Sequence, residues 1–239
     1  MAYKDGNLAY AKLEEVEQKT VEEMHIEEEV ESVKTIYPYV KRFLDFWIAL
    51  VSLILLSPLF LVIAILIKIS DPGPVLHRRM CVGMDGKTIA MLKFRSMKTN
   101  ADQLEDILTP GELEQYHKEY KLAHDPRITK VGSFLRKSSL DELPQLIDVL
   151  CGDMSLVGPR PLVREELESK YLPFQQKILT SVRPGLTGLW QVNGRSDCTY
   201  ESGERQKFEL SYVHKSSFKT DVYILLKTVR VVFYKVGAR

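Results

Sequence analysis

From Phe46 to Ile67 the chain runs FWIALVSLILLSPLFLVIAILI, 22 residues without a charge, and as a straight helix this run would be about 33 Å long, enough to cross a bilayer. Ser57-Pro58 falls near its middle. Proline there removes a backbone N–H and crowds the carbonyl of Ile54, so the helix bends or breaks, and the freed carbonyls must be satisfied by neighbouring protein or by the Ser57 hydroxyl. Each half is then about one leaflet deep. Basic residues stand on both flanks, Lys41 and Arg42 before and Lys68, Arg78 and Arg79 after, so charge does not orient a span. A re-entrant helix hairpin returning to the cytoplasmic face satisfies both sides; a kinked spanning helix and a buried soluble helix are the alternatives. Asp45, one residue outside the run, is placed to pair with Lys41 or Arg42 at the interface, which avoids a penalty of ~2.5–3.5 kcal/mol at the bilayer centre.

The remainder of the 239 residues has the length of one domain plus extensions. A composition of 45% hydrophobic and 27% charged residues excludes global disorder. Cys81, Cys151 and Cys198 are odd in number and lack a C-x-x-C pair, which suits a reducing compartment and excludes a disulfide scaffold. The net charge of +1 conceals an asymmetry: residues 1–36 hold ten acids against four lysines, net −6, and the rest holds 29 basic against 22 acidic residues, net +7. The acidic arm reads as a frayed helix or a disordered tail, and it is no signal peptide. The basic body favours anionic partners such as phospholipid head groups and nucleotides. The expected organisation is therefore an arm (1–36), a re-entrant membrane helix (37–70) and a catalytic domain on the cytoplasmic face (71–239).

Asp71-Pro-Gly-Pro74 ends the apolar element, and VLHRRMCVG and KTIAMLKF, joined around Met84 to Lys87, predict a short β-hairpin. Residues 101–123 are helical in composition with a split at Pro110-Gly111; from Ile128 onward the apolar spacing predicts helices, punctuated by Gly158-Pro159-Arg160-Pro161 and Arg183-Pro184-Gly185. Thr220 to Val236 is an amphipathic helix or strand able to lie on a membrane surface. The fold class is α+β, mostly helical, with amphipathic interfacial helices: a monotopic membrane protein. No metal-binding histidine spacing, Rossmann loop or Walker loop is present. Basic residues are dispersed without a nucleic-acid motif, so nucleic acid is not expected as a partner.

Chemistry is most concentrated in SSLDELP (Ser138 to Pro144). Two readings compete. Ser139 and Glu142 have the spacing of a capping box at the start of a helix whose apolar face is Leu140, Leu143, Ile147 and Leu150. Alternatively, Asp141 is a carboxylate nucleophile, and Glu142 binds Mg²⁺ or moves a proton. Pro144 favours the second, because a cap needs no proline there whereas a site with a distorted first turn has use for one. Anion grips surround it: Lys93 and Arg95, Arg136 and Lys137, Arg160 and Arg195. Arg160 stands out because the flanking prolines restrict where its planar fork can point.

KRFLDFWIALVSLILLSPLFLVIAILIK, DPGPVL, MLKFRSM, DPRITKVGSFLRKSSLDELPQLIDVLCGDMSLVGPRPL and RPGLTGLWQVNGR together resemble the bacterial sugar transferase family, the monotopic phosphoglycosyl transferases acting on polyprenyl phosphate, over residues 37–233. The resemblance implies transfer of a hexose-1-phosphate from a UDP-sugar to undecaprenyl phosphate, with release of UMP, at the start of capsule, exopolysaccharide or O-antigen (lipopolysaccharide) synthesis. It implies Mg²⁺ held by Asp141 and Glu142, the helix break at Ser57 and Pro58, and phosphate-binding residues Lys93, Arg136, Arg160 and Arg195. Implied partners are the UDP-hexose, with glucose and galactose first by family habit, undecaprenyl phosphate, membrane lipids, downstream glycosyltransferases and, as an option, a second copy in a homodimer. The implied location is the cytoplasmic face of the bacterial inner membrane. Cys81 stands where relatives often carry arginine, and Ser216 to Lys219 replace an aromatic. The expected mechanism is two in-line displacements through a phosphosugar-aspartate on Asp141. A silent membrane adaptor and a membrane-anchored metal-dependent pyrophosphohydrolase are the rival classes.

Overall fold

The structure, a computed structural model, describes residues 36–101, 103–119, 122, 125–193, 200 and 202–234. The acidic arm, Arg195 and Cys198 lie outside the described residues. Helix α1 (Tyr37–Ser70) takes the entire apolar run and carries Pro58 inside it. Helical structure continues on both sides of the proline, so it is one element and not two separate helices. The Ser57 hydroxyl donates to the carbonyl of Ile54 at 2.8 Å, which is the acceptor left without its partner by the missing N–H of Pro58.

Both halves of α1 rest on one folded body. Ala49, with Leu53 and Leu56, joins the main core; Leu59, Phe60, Ile63 and Ile67 join a second cluster with Phe94, Leu135, Leu140 and Leu143. Its ends are held by polar groups. Arg42 donates to the carbonyls of Val149 and Leu150 at 2.5 and 2.8 Å. Asp45 accepts from Ser155 Oγ at 2.6 Å and Leu156 N at 3.3 Å, while Lys41 sits 2.6 Å from Asp221 and 4.0 Å from Asp45. The expected pairing of Asp45 with its own helix is thus secondary to a tie into the domain. At the other end Arg95, itself buried, donates to the carbonyl of Asp71 and to Thr99 Oγ1. Only 11% of the most apolar window of α1 is buried by protein, and by length and composition the helix can cross a membrane.

The β-hairpin forms as the sequence predicts: β1 (Leu76–Val82) pairs antiparallel with β2 (Thr88–Phe94), with His77 opposite Lys93, Arg79 opposite Met91 and Cys81 opposite Ile89. Asp85 (φ 57°) and Gly86 (φ 72°) turn the chain between them. Helices α2 (Leu104–Ile107) and α3 (Pro110–Glu119) are split at Pro110 as expected. Thr109 and Glu112 close the start of α3 reciprocally, Thr109 N to Glu112 Oε2 at 2.9 Å and Glu112 N to Thr109 Oγ1 at 3.4 Å.

Then follow α4 (Lys130–Ser138), a 3-10 turn (Leu140–Glu142), α5 (Gln145–Cys151), β3 (Ser155–Val157), α6 (Arg164–Lys170), α7 (Pro173–Thr180), β4 (Gly185–Thr187), α8 (Leu189–Asn193), α9 (Glu204–His214) and α10 (Phe218–Tyr234). The parallel β3–β4 pair is absent from the sequence expectation of helices alone. It forms because Gly158 and Gly185 let two backbones meet: a Cβ on Gly185 would lie 2.1 Å from Gly158 N. Val149, Met154, Val157, Tyr212 and Ile224 fill the main core beside this pair. Helix α10 settles the helix-or-strand alternative. It buries Asp221, Ile224 and Val231 and leaves Phe218, Val222, Leu226 and Val229 exposed along another face. The result is mostly helical with two small sheets.

Candidate active site

The Asp-Glu pair sits in a single 3-10 turn between α4 and α5, because α4 ends abruptly. Ser139 adopts the left-handed conformation (φ 57°, ψ 17°) and closes α4, its N–H reaching the carbonyl of Arg136. A non-glycine residue there is locally strained. Its side chain caps nothing. The capping box expected from Ser139 and Glu142 therefore does not form: the helix proper starts at Gln145 after the buried Pro144, and the Glu142 carboxylate instead meets Lys93 Nζ at 2.7 Å. The distorted first turn anticipated from Pro144 is present.

Three elements converge on this turn. Strand β2 brings Lys93, and Asp148 of α5 fastens that strand by accepting from Leu92 N at 2.8 Å. Helix α4 brings Arg136, whose Nε donates to Ser96 Oγ at 2.8 Å. Gly132 makes this approach feasible, since a Cβ there would lie 1.8 Å from the Ser96 carbonyl oxygen. Asp141 is only 8% exposed. Burial, and after it the charge of Glu142, pushes its carboxyl up to about 6, against the pull of Lys93 and Arg136. The arrangement is a buried carboxylate with a like-charged neighbour and two cations, which suits a nucleophile that must meet an anionic phosphate.

Arg79 also belongs here. The two-residue period of β1 puts Arg79 and Cys81 on the face that carries Lys93, and Arg79 acts electrostatically on both Arg136 and Cys81. In the sequence Arg79 counts only as a basic flank of the apolar run; the alternation of the β-hairpin is the signal that finds it. Arg95 drops out of the candidate grips because it is spent on Asp71 and Thr99, and Lys137 is exposed at the end of α4.

Arg160 heads a neighbouring cluster. Its backbone N–H donates to Glu209 Oε2 at 3.0 Å, and its guanidinium lies 5.5 Å from the Trp190 ring. Arg205 stacks on Trp190 at 4.5 Å and on Tyr200 at 4.2 Å, and pairs with Glu166 at 3.2 Å. Burial pushes Glu209 up to about 7. Cys81, buried between the two groups, feels Lys93 and Arg160 alike, and burial raises its thiol. Lys93, Arg136, Asp141 and Glu142 are thus brought together, Arg160 adjoins them across Cys81, and Arg195 lies outside the described residues.

For a metal, Asp141 and Glu142 are the side chains available. Among the described residues no group of three or more histidine, cysteine, aspartate or glutamate side chains is placed to hold an ion. Two adjacent carboxylates whose mutual repulsion a cation would relieve fit Mg²⁺, which commonly takes one or two carboxylates and completes its shell with water and substrate phosphate.

A family model described as bacterial sugar transferase matches residues 36–235. The chain is 43% identical over 216 residues to the exopolysaccharide production protein ExoY of Sinorhizobium fredii, covering 89% of this chain and 94% of that protein. It is 44% identical over 204 residues to the undecaprenyl-phosphate galactose phosphotransferase of Salmonella typhimurium, covering 84% of this chain and 42% of the relative. With the UDP-glucose:undecaprenyl-phosphate glucose-1-phosphate transferase of Escherichia coli the identity is 40% over 193 residues, 79% of this chain and 39% of the relative. The match therefore extends over nearly all of the ExoY relative and about two fifths of the longer ones.

Proposed function

The chain belongs to the bacterial sugar transferase family, and from that membership we propose that it is a phosphoglycosyl transferase moving a hexose-1-phosphate from a UDP-sugar to undecaprenyl phosphate in exopolysaccharide or capsule synthesis. The observation that carries this reading is the buried Asp141 beside Glu142, with Lys93 and Arg136 acting on it. The Asp141 carboxylate oxygen attacks the β-phosphorus; the bond from that phosphorus to the bridging oxygen breaks, and UMP leaves with the electron pair. The phosphate oxygen of undecaprenyl phosphate then attacks the same phosphorus and expels the aspartate. Lys93, Arg136 and Arg160 neutralise phosphate oxygens through both steps. Asp141 and Glu142 would hold Mg²⁺, which when bound supplies positive charge to the phosphates in transfer. Glu142 is the metal carboxylate or the proton acceptor.

The lipid acceptor requires the site to face a membrane. Helix α1, apolar and mostly uncovered, supports burial in lipid. Both its ends are tied to one body, through Arg42 on α5 and through Asp71 on Arg95, which supports a re-entrant helix with Lys41 and Arg79 on the same, cytoplasmic side of the inner membrane. Single-cysteine labelling in intact cells tests this topology; periplasmic labelling at either position refutes it. Replacing Ser57-Pro58 with Leu-Leu is expected to shift the helix toward a span.

The covalent route is tested with purified protein and UDP-hexose in Mg²⁺ and no acceptor. About one UMP per site is expected in a burst, with sugar phosphate left on the protein until undecaprenyl phosphate discharges it. A normal burst from Asp141→Asn refutes the nucleophile. Sugar phosphate released into water, with none on lipid, identifies a pyrophosphohydrolase instead.

A further inference from the structure

We propose that Lys93 is the built-in counter-cation of Glu142, and that it yields this carboxylate only to a divalent cation arriving with a nucleotide diphosphate, so that metal and UDP-sugar load as a pair. The proposal rests on the reading of Asp141 and Glu142 as the nucleophilic and metal-facing carboxylates. Lys93 Nζ lies 2.7 Å from Glu142 Oε1, and the two side chains are 23% and 35% exposed. The ion pair is therefore reachable from solvent yet only partly screened by it. Its backbone is fixed, because Lys93 stands on β2 opposite His77 and the adjacent Leu92 N is bonded to Asp148. The side chain is left to move.

The charge count makes the exchange conditional. Lys93 and Arg136 act on Asp141 beside Glu142, and Arg79 acts on Arg136, so the two carboxylates already stand among positive charges. A divalent cation alone would add two positive charges more, and with Lys93 still on Glu142 the like charges repel at short range. A UDP-sugar alone, with two ionised phosphates, would bring two negative charges against the two carboxylates. Together they leave the charge of the site unchanged. The ligand count leads to the same conclusion independently: among the described residues no third metal-capable side chain joins the pair, so a magnesium-like cation needs the phosphates to complete its shell. Once released, Lys93 keeps its three N–H donors beside the site and turns them to the incoming phosphate.

The test uses the full chain in detergent or nanodiscs, with Mn²⁺ as the spin-visible metal and UDP as the nucleotide diphosphate. For the unaltered protein, free Mn²⁺ measured by electron paramagnetic resonance should show weak binding that UDP tightens about tenfold or more. Lys93→Met should bind Mn²⁺ alone about tenfold more tightly than the unaltered protein, and the further tightening by UDP should be smaller than in the unaltered protein, leaving only the ligands the phosphates add. Lys93→Gln keeps a donor for Glu142 without the charge and should behave as Lys93→Met; Lys93→Arg keeps the charge and should restore the unaltered pattern. If the two neutral variants, with unchanged circular dichroism, bind Mn²⁺ alone no more tightly than the unaltered protein, the exchange is refuted. If Mn²⁺ binding with UDP is indifferent to Glu142→Gln, the metal-facing role of Glu142 fails, and the proposal with it.

Discussion

Asp141 and Glu209 are both pushed up by burial, to about 6 and about 7, but they sit in regions built for different ends. Around Asp141 the second cause of the shift is a like charge, Glu142, and Lys93 and Arg136 draw the value back down. Glu209 is 3% exposed, and one of its oxygens is committed to the backbone N–H of Arg160. Asp148 resembles Glu209: it too is raised by burial to about 6, and its Oδ2 is taken by Leu92 N. A raised carboxylate is therefore no mark of a reacting one in this fold. Cations act on Glu209 as well, Arg205 and Arg160, so charge alone does not separate the two sites; the separation is that Glu209 and Asp148 each commit an oxygen to a backbone N–H of another element and so fasten it, while Asp141 adjoins Glu142 and the Lys93 ion pair.

The largest effect is expected at Asp141. Asp141→Asn should abolish the UMP burst and lower turnover about 10³-fold or more, the scale of losing a nucleophile. Its stability should move the other way. The folded value near 6 lies above the ordinary aspartate value of 3.8, so the stability contributed by this group is fully present below about pH 4 and is lost as pH rises through 6. In EDTA, Asp141→Asn should therefore melt above the unaltered protein at pH 8 and level with it at pH 4, by differential scanning fluorimetry. With Mg²⁺ present, which favours the ionised carboxylate, turnover of the unaltered protein should fall with acid only below about pH 6.

Glu142→Gln should follow, with turnover down about 10²-fold or more, since metal binding and proton transfer both need the carboxylate. Arg160→Lys keeps the charge but loses the planar fork, and kcat/KM should fall about 10-fold or more. Glu209 provides the sharpest contrast. Glu209→Gln keeps an acceptor for Arg160 N–H and should leave turnover within about threefold, whereas Glu209→Leu orphans a buried donor and should cost ~1–3 kcal/mol in denaturant unfolding. A collapse of turnover in a stable Glu209→Gln protein would break the distinction between the two carboxylates. The smallest effect is expected from deleting residues 1–34, whose net charge and sparse apolar content suit them poorly to a core; in-vitro turnover should stay within about twofold.

The amino-acid order alone determined what rests on near neighbours. The 22-residue apolar run with its internal proline, the β-hairpin around Met84 to Lys87, the split at Pro110 and the Asp141-Glu142 pair are all written within a few positions of one another, and the long motifs identified the family. Tertiary structure decided the partners. Ser139 and Glu142 have the spacing of a cap, yet Lys93, 49 residues from Glu142, takes the carboxylate, and Ser139 turns left-handed to end α4. Arg79 and Arg95, alike as basic residues in the sequence, separate into a group beside the site and a buried clamp on Asp71. The physical reason is that charge, burial and hydrogen-bond demand are properties of a place, and that place exists only once α4, β2 and α5 have packed. The sequence supplied the carboxylates; the fold decided that Asp148 and Glu209 each hold a backbone N–H of another element, while Asp141 stands beside Glu142 with Lys93 and Arg136 acting on it.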